Sequence, residues 1–159
     1  MKIVAEANRS RRVFLKNGLA LAAIGFASYL LKPLRALAAE WPKNAFESKK
    51  IDEALQSLFG GAQATTSASI RINAPYQAEN GATVRFVATI DLPNVSTVAV
   101  LVEKNERPLV MTMNYAGAEP YISLRLKMAQ TSDVYVVAKS QGKLYIAKQN
   151  IKVTVGGCG

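Results

Sequence analysis

From Ser69 onward the sequence alternates apolar with polar residues, and turn formers interrupt it about every ten residues. Ser69–Ile72 and Thr83–Ile90 alternate cleanly. Thr97–Glu103, Leu109–Asn114, Tyr121–Met128, Val134–Lys139, Leu144–Lys148 and Ile151–Val155 follow, rich in Val, Ile, Thr and Tyr. Between them stand Asn80-Gly81, Leu92-Pro93-Asn94, Arg107-Pro108, Ala116-Gly117 and Gln141-Gly142. Successive strand side chains point to opposite faces, so each run has one face to bury. Short strands at this spacing bury those faces by packing two sheets together, which predicts an all-β sandwich of about seven strands over residues 62–155. The Cys-Trp-Cys marks of antibody domains are absent, since the sequence holds one Cys and one Trp.

A short helix is expected ahead of the strands, in the segment 39–61. Ile51, Leu55, Leu58 and Phe59 recur at helical spacing, and Gly60-Gly61 follows as a stop. So short a helix depends on packing its apolar side against something else, either the sandwich or a partner.

The net charge of +9 points to a polyanion partner until the charge is located. Residues 1–38 hold seven Lys or Arg and one acid, while residues 39–159 hold thirteen and ten. The excess past residue 39 is therefore only +3 and is spread along the strands, unlike the dense basic patch of a nucleic-acid binder. The early charge belongs to an address. Ser10-Arg11-Arg12-Val13-Phe14-Leu15-Lys16 precedes an apolar run from Gly18 to Leu31, and Ala36-Leu37-Ala38-Ala39 follows. A basic region, an apolar region and an A-x-A site in that order make an export signal with cleavage near Ala38-Ala39. Arg11, Arg12, Phe14 and Leu15 match the twin-arginine motif, which implies the Tat translocase and a periplasmic destination. The 14-residue apolar run is short of the roughly 20 residues of a spanning helix, so no stable membrane anchor is expected after cleavage.

There is no His and only one Cys. That excludes an intramolecular disulfide, a His-plus-Cys metal site and a Ser-His-Asp or Cys-His catalytic set. No acidic cluster suggests a carboxylate metal site, so no metal is expected. The one Cys stands in Val155-Gly156-Gly157-Cys158-Gly159. Glycine on both sides gives backbone freedom and no side chain to pack. Gly156, Gly157 and Gly159 thus form, with Cys158, a flexible arm over residues 156–159 after the last strand. Four extended residues reach on the order of 13 Å, enough to enter another protein's cleft. A lone exposed thiol oxidises and cross-links in an oxidising compartment, so its presence there calls for a chemical use. The carboxylate of Gly159 would favour the thiol over the thiolate. Cys158 is therefore read as an attachment point that partner enzymes activate.

These features resemble the SoxY family of periplasmic sulfur oxidation. Besides the leader and the glycine-cysteine ending, Glu103-Lys104-Asn105-Glu106-Arg107-Pro108-Leu109 is similar to the family's E-K-N-x-R-P-L segment. Arg125-Leu126-Lys127-Met128-Ala129-Gln130-Thr131-Ser132 is similar to its R-[IL]-K-M-A-Q-T-S segment. The family usually carries two glycines after the Cys, and this sequence has one. The resemblance implies an immunoglobulin-like antiparallel sandwich that pairs with a second β protein, SoxZ. It also implies a non-catalytic carrier whose only bound group is sulfur cargo on Cys158, as an S-thiosulfonate or persulfide. The haem enzyme SoxAX would load thiosulfate, the hydrolase SoxB would release sulfate, and in some organisms a sulfur dehydrogenase would oxidise what remains.

Two other readings compete. A thiol enzyme acting alone lacks both a His base and a resolving Cys. An exported assembly domain would use Cys158 for an intermolecular disulfide. Arg125, Lys127, Lys104 and Arg107 are read as flanking strands or facing a partner, and Tyr76, Tyr115 and Tyr121 as core or edge packing.

Overall fold

The computed structural model describes residues 41–154. The expected leader with Arg11, Arg12, Phe14 and Leu15, its cleavage site, and Gly156, Gly157, Cys158 and Gly159 lie outside the described residues.

Among the described residues two helices lead nine strands: α1 Lys43–Glu47, α2 Ile51–Phe59, β1 Ala64–Thr66, β2 Ile70–Asn73, β3 Gln77–Ala78, β4 Val84–Ile90, β5 Val95–Val102, β6 Leu109–Asn114, β7 Tyr121–Leu126, β8 Ser132–Ser140 and β9 Lys143–Val153. The larger sheet runs β1-β9-β8-β5-β6, with β3 also on β9, and the smaller runs β2-β4-β7. The anticipated all-β sandwich with a short N-terminal helix is the observed fold.

The core lies between the sheets. Val98, Val100 and Val102 of β5 and Val134, Val136 and Ala138 of β8 face Val84, Phe86 and Ala88 of β4, all essentially inaccessible. The opposite face of β5 and β8 is apolar too, at Ala99, Leu101 and Val137, because the helices cover it. Ala45 and Ala54 are fully buried there, their small side chains letting α1 and α2 approach the sheet, with Ile51, Leu55, Leu58 and Phe59 half-buried around them. The helix therefore packs on its own sandwich. It ends as expected: Gly60 is left-handed (φ 73°) and its N–H donates to Gln56 O at 2.9 Å.

Three features were not legible beforehand. The short helix α1 carries no capping side chain, and Trp41 stacks on its Phe46 at 4.4 Å between ring centroids. The two last runs are a single strand of 11 residues, β9. Gln149 and Asn150 do not break it, because Gln149 Nε2 donates to Ala74 O (2.9 Å) and Asn150 Nδ2 to Asp133 Oδ1 (2.7 Å). Finally, β1 and β3 pair parallel with β9, at Leu144–Ile146 and at Lys152–Val153, within a sandwich otherwise antiparallel.

Candidate functional site

Thr154 is the last described residue before the glycine-cysteine ending, so the site is read at its root, the C-terminal end of β9. One edge of that end is β3. Lys152 N donates to Tyr76 O (2.9 Å) and Thr154 N to Ala78 O (3.0 Å). The other edge is closed by a side chain. Thr131 lies just before β8, and its hydroxyl oxygen accepts from Val153 N at 2.9 Å and donates to Val153 O at 3.4 Å. Thr131 thus stands in for a strand residue and satisfies the last backbone pair of β9.

The root is braced from behind by the two segments that resembled the family. Asn105 Nδ2 donates to Lys127 O (2.7 Å), and Ala129 N donates to Asn105 Oδ1 (3.0 Å). One amide therefore clamps the segment 103–109 onto the segment 125–132. Met128 N in turn donates to Gly81 O (2.7 Å). Gly81 can be nothing larger: a Cβ there would run into the Met128 carbonyl oxygen and sit 2.8 Å from Val153 Cγ1. The turn expected at Asn80-Gly81 exists, but its glycine is required by space at the root of the last strand.

The start of β8 is fixed to β9 by charge. Asp133 accepts from Lys148 Nζ (2.8 Å) and Asn150 Nδ2. Those two hydrogen bonds, led by Lys148, hold its carboxyl below the usual carboxylate range, and the same bond raises Lys148. Burial pushes the neighbouring Tyr135 phenol up. Beside the root, Lys152 Nζ lies 5.0 Å from the Tyr76 ring centroid.

Tyr76 and Tyr121 are 65% and 62% exposed, so neither is core packing; Tyr115 is half-buried against the core. Lys104, Arg107 and Lys127 flank strands, whereas Arg125 stands inside β7. Asn105 and Thr131 were not singled out from the sequence, although both lie in the two quoted segments. Among the described residues no group of His, Cys, Asp or Glu could hold a metal, and no helix is long and apolar enough to cross a membrane.

Among the described residues, fold and site together define a class: a helix-backed β-sandwich whose strand β9 is braced on both edges at its C-terminal end. Residues 55–158 match the model of a family described as sulfur oxidation protein SoxY, and the chain belongs to that family. Among solved structures, the sulfur carrier protein SoxY from Chlorobium limicola f thiosulfatophilum is 34% identical, with a TM-score of 0.62 over 71% of this chain and 99% of that chain. A superoxide reductase (neelaredoxin) from Ignicoccus hospitalis is 17% identical, with a TM-score of 0.49 over 57% of this chain and 94% of that chain, too remote to carry an argument. No curated protein matches the chain.

Proposed function

We propose that this chain is a non-catalytic carrier of thiosulfate oxidation, with its cargo bound covalently to Cys158. The observation that supports this most is that the family match extends to residue 158 and so includes the Cys. The braced end of β9 supports it too. A carrier that presents one atom to several active sites needs a fixed root and a narrow tip. Thr131, Ala78 and Gly81 supply the first, and the composition of Gly156, Gly157 and Gly159 suits the second.

The chemistry balances without a catalytic group on this chain. The Cys158 thiolate and thiosulfate form a new S–S bond and give up a pair of electrons, which the haem enzyme SoxAX accepts. Water then attacks the terminal sulfone in SoxB. The S–S bond to it breaks, sulfate and two protons leave, and the electron pair stays on the Cys158 persulfide. A sulfur dehydrogenase would take that sulfur onward. SoxZ is the proposed stable partner. The twin-arginine motif at Arg11 and Arg12 supports the periplasm as the place of this work.

Intact mass of the protein from its own periplasm, before and after reductant, tests this. Reductant-labile additions of sulfur or of a thiosulfate unit are expected, and Cys158→Ser removes them. A clean thiol overturns the carrier reading, and a protein–protein disulfide alone replaces it with the assembly reading.

A further inference from the structure

Past residue 39 the chain has four arginines, and three of them, Arg71, Arg85 and Arg125, project from the outer face of the β2-β4-β7 sheet. Arg85 and Arg125 are direct cross-strand partners, and both are exposed. Like charges directly opposite one another destabilise a sheet. No carboxylate among the described residues pairs with either, whereas Arg71 lies 4.0 Å from Asp91. A local arrangement that opposes folding calls for a use on the surface. Between the arginine pair and the far end of the face stands Tyr121, a ridge shared by two shallow grooves of about 360 and 410 Å³.

The location is informative. Val84 and Leu126 pair one position beyond Arg85 and Arg125, and the chain then runs to Met128, whose N–H donates to Gly81 O, and to Gly81, where an added Cβ would sit 2.8 Å from Val153 Cγ1. The arginine pair therefore sits at the root end of the sandwich, on the side of Val153. At the far end of the same face stand Asp91 and Glu119, both exposed. A polyanion laid along the face would meet those acids. A folded protein surface with carboxylates at one end only would not, and paired carboxylates match the bidentate guanidinium fork.

We infer that the outer face of the β2-β4-β7 sheet, centred on Arg85, Arg125 and Tyr121, docks an acidic surface of an enzyme that receives the Cys158 arm. The identity of that partner rests on the carrier reading; the acidic docking itself does not. Charge at such a contact acts on encounter more than on chemistry.

With purified full-length chain as substrate of the thiosulfate-loading haem enzyme, R85E/R125E is expected to lower kcat/KM at low salt by about 10-fold or more while leaving kcat unchanged. R85Q/R125Q should fall between, and K43E/K50E, on the helix side, should load like wild type. Alkylation of Cys158 by iodoacetamide should be equal in all of them. Equal loading of R85E/R125E and wild type overturns the inference and leaves the carrier reading intact, as does an equal loss in K43E/K50E. If wild type is not loaded at all, the carrier reading fails instead. The docking face is then read by titrating the isotope-labelled chain with a hexaglutamate peptide. Amide shifts confined to β4 and β7 and lost in R85E/R125E support it. Shifts spread over all lysine-bearing faces, no shifts, or equal binding of a DNA duplex on this face overturn it.

Discussion

Asn105 uses both ends of its side-chain amide on backbone, one on Lys127 O and one on Ala129 N. Asn105→Ala leaves both half-bonds open and is expected to lower stability by about 1–3 kcal/mol, read as a lower urea midpoint at unchanged slope. Two glycines show how differently one residue type can matter. Gly81→Ala pushes a methyl group into backbone at Met128 and into Val153, and should cost about 1–3 kcal/mol. Gly142, at φ 78°, has open space around its Cβ position, so Gly142→Ala should cost only the left-handed conformation, about 1–2 kcal/mol. Comparing the two melting curves checks the order. Both positions stood out in the sequence as turn formers. Which was held by φ and which by crowding depends on Met128 and Val153, residues distant in sequence that no local pattern brings near.

Strands β8 and β9 form the longest element pair, and their turn residues Gln141 and Gly142 both have positive φ, as a two-residue hairpin with the strands' own twist requires. At the open end the pair is closed by Asp133 with Lys148 and Asn150. The folded Asp133 carboxyl titrates below its unfolded value, so its contribution is present above about pH 4 and is lost as pH falls through the lowered folded value. Stability measured by denaturant at pH 6 and at pH 3 should therefore drop more in wild type than in Asp133→Asn. The long strands were legible because each buries an alternating face. Two short ones were not: β1 has three residues and β3 two, and both are held by backbone pairing to β9, a cause that leaves no hydrophobic period behind. The polar pair Gln149-Asn150 suggested a break in β9 for a related reason, since the partners that satisfy those side chains, Ala74 and Asp133, lie far off in sequence.

At the scale of the whole fold, among the described residues, helices cover one face of the large sheet, the core fills the space between the sheets, and no described element covers the outer face of the small sheet. The sequence singles out Cys158 as the chemical candidate because it is the one Cys and stands between glycines, and it lies outside the described residues. The brace at the end of β9 was not legible, because Thr131, Asn105 and Gly81 reach it only through the tertiary fold. If the residues beyond that root must pass through a narrow channel, Gly157→Val should fold with an unchanged melting curve yet accept thiosulfate more slowly; equal mass gain over time would refute the requirement for a slim tip. The bracing of β9 also has a mechanical meaning. A pull on the terminus is borne along the axis of a strand of 11 residues flanked by β8 on one side and by β1 and β3 on the other. Such a load shears many backbone bonds at once and cannot peel them singly. Under the proposed carrier role, a partner enzyme that pulled on the residues beyond Thr154 would load β9 in shear and leave the sandwich behind it intact.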